Sequence, residues 1–231
     1  MQVHVAFTPA ETAAAPTGIV VDVLRATSTI AQALAGGYRR VLCCAEVDEA
    51  RSLREAEGGG VLAGERGCIR IPGFDLGNSP SEFLEPDGDT LILTTTNGTR
   101  AVVAAAARCE RVLTASLLNL GAVVAAAREA GGDVAIVCAG VKGELALDDV
   151  YCAGRIAELL EGEPTDGAAA AIRLTRSFSS AEEGLGASQS ARNLIAAGLA
   201  GDVAWCARES LLPVAPRFAG MRGPAAEIVL L

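Results

Sequence analysis

A layered α/β/α fold on a mostly parallel or mixed sheet is predicted by three features of this chain. Short apolar runs recur through its first two-thirds, and amphipathic segments of helical period separate them. Gly pairs and triplets punctuate the junctions, as at Gly36-Gly37 and Gly58-Gly59-Gly60. Polar, Gly-containing motifs cluster just after the apolar runs, where open α/β sheets bind ligands.

The elements follow in order. Residues 3–7 and 19–24 read as strands because both runs are apolar and short. Thr27 or Ser28 is placed to N-cap a helix over 29–35, with Gly36-Gly37 as its stop. Residues 41–45 predict a strand, 47–57 a helix, and 61–63 a buried strand. A charged, Gly- and Pro-punctuated loop then runs to Pro80, and a loop of that length is a functional candidate. A strand over 90–94, a helix over 99–108, a strand over 112–115, a helix over 118–130 and a strand over 134–138 continue the alternation. Helices are expected over 148–161, 167–178 and 188–197. Two further apolar runs, 203–206 and 228–231, carry no decisive period. The chain reads as one α/β domain over 1–231, with the turn at 162–167 as its only candidate subdomain boundary.

Composition narrows the function. With 51% hydrophobic and 20% charged residues in a chain of 231, disorder is excluded and a sizeable core is available. A net charge of −9 and 3% aromatics disfavour nucleic acid, which needs basic surface and stacking platforms. No apolar stretch predicts a transmembrane span and the start does not read as a signal peptide. Seven cysteines, an odd number with no CxxC, indicate free thiols in a reducing cytoplasm. The Ala-rich helices are a candidate homodimer face.

Four predicted strand ends carry chemistry: Asp22 with Arg25, Glu65 with Arg66, the run Thr95-Thr96-Asn97-Gly98-Thr99, and the 139–144 loop ahead of Asp148-Asp149. Asp22 interrupts an apolar run, and such an acid is costly to bury unless paired or metal-bound. Thr94–Thr99 suits either a turn or an anion cradle at a helix N-terminus. Asp148-Asp149, taken alone, is explained by a helix dipole. The single histidine, His4, excludes a His-based triad or a His-rich zinc site and reads as packed. Neither a P-loop nor GxGxxG occurs, which argues against a nucleotide enzyme. The remaining set of carboxylates, Arg and Gly-lined N–H groups suits Mg²⁺ and a phosphoryl group.

These motifs resemble one family. Asp-Val-Leu-Arg-Ala-Thr-Ser at 22–28, Gly-Glu-Arg-Gly at 64–67, Gly-Phe-Asp-Leu-Gly-Asn-Ser-Pro at 73–80, Thr-Thr-Asn-Gly-Thr-Arg-Ala at 95–101 and Cys-Ala-Gly at 138–140 look like the 2-phosphosulfolactate phosphatases, in order and spacing. The resemblance implies Mg²⁺-dependent hydrolysis of 2-phospho-3-sulfolactate to 3-sulfolactate and phosphate, a step of coenzyme M biosynthesis in methanogens. It implies catalytic Asp22, Arg25, Glu65 and Arg66, and a Mg²⁺ site from Asp22, Glu65 and Asp149. Substrate contacts would come from Asn78, Ser79, Thr96, Asn97, Gly98, Thr99 and Arg100. Attack by metal-activated water is preferred over attack by Asp22 itself. One departure is Asp148-Asp149, where the family pattern has Glu-Asp; the tail after Pro213 is unusual and Ala- and Pro-rich and carries none of these motifs. The alternatives are hydrolysis of another small phosphorylated hydroxy acid, or anion binding without catalysis on the same scaffold.

Overall fold

The computed structural model describes residues 1–95 and 97–231. In chain order the elements are β1 (Gln2–Ala6), β2 (Ala15–Val21), α1 (Ala26–Gly36), β3 (Arg40–Cys44), α2 (Val47–Ala56), β4 (Val61–Arg66), β5 (Ile69–Arg70), β6 (Thr90–Thr94), α3 (Gly98–Ala106), β7 (Cys109–Ala115), α4 (Leu120–Ala130) and β8 (Val134–Cys138). There follow α5 (Leu147–Leu160), β9 (Glu163–Pro164), α6 (Asp166–Thr175), α7 (Ala181–Gly186), α8 (Gln189–Ala196), α9 (Ala200–Cys206), β10 (Pro216–Arg222) and β11 (Ala225–Leu230). The predicted α/β class holds: one mixed, mostly parallel sheet is flanked by helices, in the order β5-β4-β6-β3-β11-β10-β7-β2-β8-β1-β9.

Two parallel blocks make up most of the sheet. In one, β2 pairs in parallel with β7 and β8, and β8 with β1. In the other, β3 and β4 flank β6 in parallel. The antiparallel hairpin β10–β11 lies between the blocks, β11 against β3 and β10 against β7. Continuous apolar runs such as Ile19-Val20-Val21 in β2, all 0% exposed, fit strands covered on both faces. One large core gathers β2, β8 and β7 side chains against α4 and α5; a second gathers β3 and β6 against α1 and α3.

Several boundaries differ from the sequence reading, each for a local reason. Helix α1 begins at Ala26, because Thr27 and Ser28 turn their hydroxyls back to the carbonyls of Asp22 and Val23 instead of capping at 29. Strand β4 runs through Gly64, Glu65 and Arg66 and forms a hairpin with β5, so the front of the long loop is sheet. Gly64 has φ +149°, and a Cβ there would collide with the Thr94 carbonyl oxygen; only glycine allows β4 this close to β6. The run 203–206 belongs to helix α9, and 228–231 to β11 with its last residue outside. Within the 162–167 turn, Glu163 and Pro164 pair with Gln2 and Val3. No helix among the described residues is long and apolar enough to cross a membrane. All seven cysteines are free thiols, six of them buried.

Candidate active site

The site is built where β2 ends. Asp22 follows the last residue of β2, and its carbonyl accepts from both the Thr27 N–H and the Thr27 hydroxyl at 2.9 Å. The Asp22 N–H donates to Thr27 Oγ1 at 3.1 Å, and Ala26 N–H reaches Asp22 Oδ1 at 3.4 Å. The carboxylate is thus fixed at the start of α1. Helix α3 abuts it: a Cβ on Gly98 would stand 3.1 Å from Asp22 Oδ2 and 2.9 Å from the Ala26 Cβ. Glycine at 98 therefore lets a helix N-terminus, with its free N–H groups, approach the acid.

Asp22 lines a cleft of about 260 Å3 with Arg25, Glu65, Asn78, Thr95 and Asn97. Leu24, Val141 and Leu194 supply apolar wall, and Lys142, Ser190 and Asn193 complete it. Next to it, Lys142, Ser190 and Asn193 also border a cavity of about 510 Å3 that contains Asp148. Arg25 and Asn78 border a third space of about 430 Å3 with Ser79, Arg70 and Asp202.

Like charges crowd here. Burial, then the charge of Asp148, with a further contribution from Glu65, pushes the Asp22 carboxyl up to about 7. Burial pushes Asp148 up to about 6, against the pull of main-chain amides and the Ser190 and Ser188 hydroxyls. Burial, with the charges of Asp148 and Asp22, raises Asp149 well above the carboxylate range. The two neighbouring acids of α5 nevertheless differ. Asp149 accepts from Val23 N–H at 2.9 Å through Oδ1 and from Gly140 N–H at 3.0 Å through Oδ2, so it braces the end of β2 to the loop after β8. Asp148 keeps a buried Oδ1 with no hydrogen-bond partner among the described residues.

An orphaned carboxylate oxygen among other acids fits a hard cation, and the donor set here is all oxygen. Among the described residues no three acidic, His or Cys side chains group closely enough to hold an ion by themselves. Mg²⁺ needs fewer, since it keeps several waters and commonly takes one or two carboxylates plus substrate phosphate. Asp22 and Asp148 meet that requirement. Glu65 lines the same cleft as Asp22 and accepts from the Cys68 N–H at 2.8 Å.

Arg25 is 4% exposed and follows a cis Leu24–Arg25 peptide. Its Nη1 donates to Asp202 at 2.6 Å and to Ser79 Oγ at 3.1 Å, and Ser79 Oγ in turn donates to the same Asp202 oxygen at 2.8 Å. A pairing across 177 residues is invisible to motif reading, and no sequence signal marks Asp202. Two expected arginines point elsewhere. Arg66 donates to the carbonyls of Glu65 and Ala45, and Arg100 is an exposed partner of Glu46 at 3.8 Å; neither lines the cleft. Ser79 accepts from Arg25, and Asn78 borders the cleft with a buried Oδ1 that has no partner among the described residues. Thr99 is buried in the first turn of α3. Thr96 lies outside the described residues.

The family model described as 2-phosphosulpholactate phosphatase matches residues 4–220. The chain belongs to the 2-phosphosulfolactate phosphatase family. It is 40% identical over 97% of its length to "Probable 2-phosphosulfolactate phosphatase" of Thermus thermophilus, covering 98% of that protein. It is 41% identical to the protein of the same name from Pseudothermotoga lettingae, with 87% and 88% of the two chains covered. It is 38% identical to "2-phosphosulfolactate phosphatase" of Methanothermobacter thermautotrophicus over 84% and 82% of the two. The Asp22 cleft and the spaces beside it collect residues from the motifs that carried the resemblance.

Proposed function

We propose that this chain hydrolyses 2-phospho-3-sulfolactate to 3-sulfolactate and phosphate with Mg²⁺ as cofactor. The observation that carries the reading is the buried, mutually repelling pair Asp22 and Asp148, with its orphan oxygen, beside the N-terminus of α3. The names of the relatives support the substrate. Asp22 and Asp148 would hold the ion, with Asp149 bracing the main chain that carries Asp22. The metal, when bound, would neutralise charge on the phosphoryl oxygens and activate water.

The protein's own groups do the rest. The α3 N–H groups, Asn97 and Asn78 offer donors to the phosphoryl oxygens, pre-arranged where charge develops. Arg25 presents a guanidinium held by Asp202 and Ser79, a fixed fork for a planar carboxylate or a phosphoryl edge. Glu65 lies at the cleft as the carboxylate placed to take a proton from water. Leu24, Val141 and Leu194 reduce access of bulk water. The reading also includes a place in a reducing cytoplasm, supported by the free thiols, and a homodimer.

Phosphate release from 2-phospho-3-sulfolactate, phosphoenolpyruvate, phosphoglycolate and an aryl phosphate, each with and without Mg²⁺, tests it. Mg²⁺-dependent turnover favouring the sulfonated ester is expected. Turnover of the other esters alone would discard the substrate, and turnover that ignores Mg²⁺ would discard the cofactor.

A further inference from the structure

The cleft holds two cations, and they differ in how much charge they can offer. Arg25 is already neutralised by a buried carboxylate 2.6 Å away. Lys142, the only lysine in the chain, has no hydrogen-bond or ion-pair partner among the described residues. It stands on the turn after β8, where Val141 and Glu144 bridge main chain to main chain, at φ +55°. That turn presents it to the cleft that holds Asp22 and also to the cavity that holds Asp148. Ser190 and Asn193 of α8 are shared by the same two spaces. Thr95 and Asn97 line only the first. The polar groups thus divide into a set beside the α3 N-terminus and a set at the junction of the two spaces.

We propose that Lys142, with the Asn193 side-chain amide beside it, binds the sulfonate of the substrate, which the α3 N-terminus and Asn97 hold by its phosphoryl end. The proposal rests on the hydrolytic reading above. A sulfonate is fully ionised, tetrahedral and three-oxygened, and it suits a compact ammonium with three rotatable donors, aided by the NH₂ of Asn193, whose Oδ1 accepts from Gln189 at 2.9 Å while the Ser190 hydroxyl serves Asp148. The carboxylate is planar and suits the fixed fork of Arg25. Sulfonate and phosphoryl groups lie on adjacent carbons of this substrate, so their sites must be close but distinct, as these two sets are. Glu144 and Arg192 also border the second cavity; Arg192 spends its guanidinium on Gln189 and the Ala187 carbonyl.

Steady-state phosphate release by the full chain, with wild type, Lys142→Gln and Lys142→Arg, would be measured on 2-phospho-3-sulfolactate and on 2-phospholactate, which lacks only the sulfonate. Wild type is expected to prefer the sulfonated ester. In Lys142→Gln that preference in kcat/KM should fall at least about tenfold, through KM, with activity on 2-phospholactate nearly unchanged. Lys142→Arg should recover part of it. Binding of the product 3-sulfolactate against lactate, read by calorimetry, should follow the same order, and a melt shows whether each variant is folded. An unchanged preference in Lys142→Gln overturns the assignment. An equal loss on both esters also overturns it, by moving Lys142 to the carboxylate or the phosphoryl group. Failure of wild type on both esters would overturn the hydrolytic reading instead.

Discussion

Removing the Asp202 carboxylate is the sharpest test of how the cleft is held together. Arg25 is 4% exposed and Asp202 6%, and their charges meet at 2.6 Å. Among the described residues, Asp202→Ala leaves the buried guanidinium only Ser79 Oγ and the distant Cys68 carbonyl, 3.4 Å from Nη2, as hydrogen-bond partners. Breaking a buried pair from one side costs about 3–5 kcal/mol, because the surviving charge has lost both its partner and water. In a chain of this size that is a drop of roughly 6–20 °C in melting temperature. The matched control is Asp89→Ala, whose partner Arg39 is 78% exposed; it should change stability by less than about 1 kcal/mol. Urea unfolding followed by circular dichroism gives both numbers. The double variant Asp202→Ala/Arg25→Met removes the stranded charge and should recover part of the loss, whereas activity should not return. A single-variant loss below about 1 kcal/mol would refute the claim that this pair is desolvated and fixed.

Three further predictions follow from the same geometry. Without added metal, raised acids make the fold less stable as pH rises: Asp22 binds its proton more tightly folded than unfolded, so its contribution is complete below about 3.8 and is lost through about 7. Between about pH 5.5 and about pH 8 the loss from Asp22 alone is about 2 kcal/mol, read from urea melts, and Mg²⁺ at the higher pH should restore it; a stability that rises over this window would contradict the crowding. Gly98→Ala should lower kcat at least about 100-fold, since its Cβ would meet Asp22 and Ala26; near-normal activity would mean that α3 can retreat. Asp148→Asn should leave a folded protein that no longer responds to Mg²⁺, whereas Asp149→Ala should cost about 2–4 kcal/mol by stranding the Val23 and Gly140 amides; the reverse pattern, seen in parallel melts and metal titrations, would exchange their roles.

Sequence patterning makes the alternation legible because each strand of the parallel blocks is a near-continuous apolar run and most helices have Gly or a charge at a boundary. It also locates Asp22, Glu65, Asn78 and Asn97, because these fall after such runs and the fold brings strand ends together. Illegible features depend on where long side chains turn. Arg66 and Arg100 sit in the right motifs, yet a guanidinium ends a long flexible stem, and theirs go to carbonyls and to Glu46. Asp148 and Asp149 are adjacent, and only the direction of each side chain around α5 separates an orphan oxygen from a double acceptor. Asp202 lies in a short helix with nothing local to mark it. The β10–β11 hairpin is half visible, as an apolar run, because its strand β10 reads Pro-Arg-Phe-Ala-Gly-Met-Arg and lacks alternation.

Charge balance ties these observations together. The chain carries −9 overall, and within that total its cleft gathers Asp22 and Glu65, with Asp148 next door. Of the cations that could offset this, Arg25 has its charge balanced by Asp202 through Nη1, which leaves its other N–H groups as donors without a net charge, while Arg66 and Arg100 are turned away. A multiply charged phosphate ester would meet a net negative wall from side chains alone. Helix N-termini supply only fractional charge, of order half a unit each. On the function proposed above, a Mg²⁺ ion held by Asp22 and Asp148 and the ammonium of Lys142, which borders both spaces, would make up the deficit. The crowding of Asp22 and Asp148 would then also favour the ion, since its binding would relieve a repulsion that folding has already imposed.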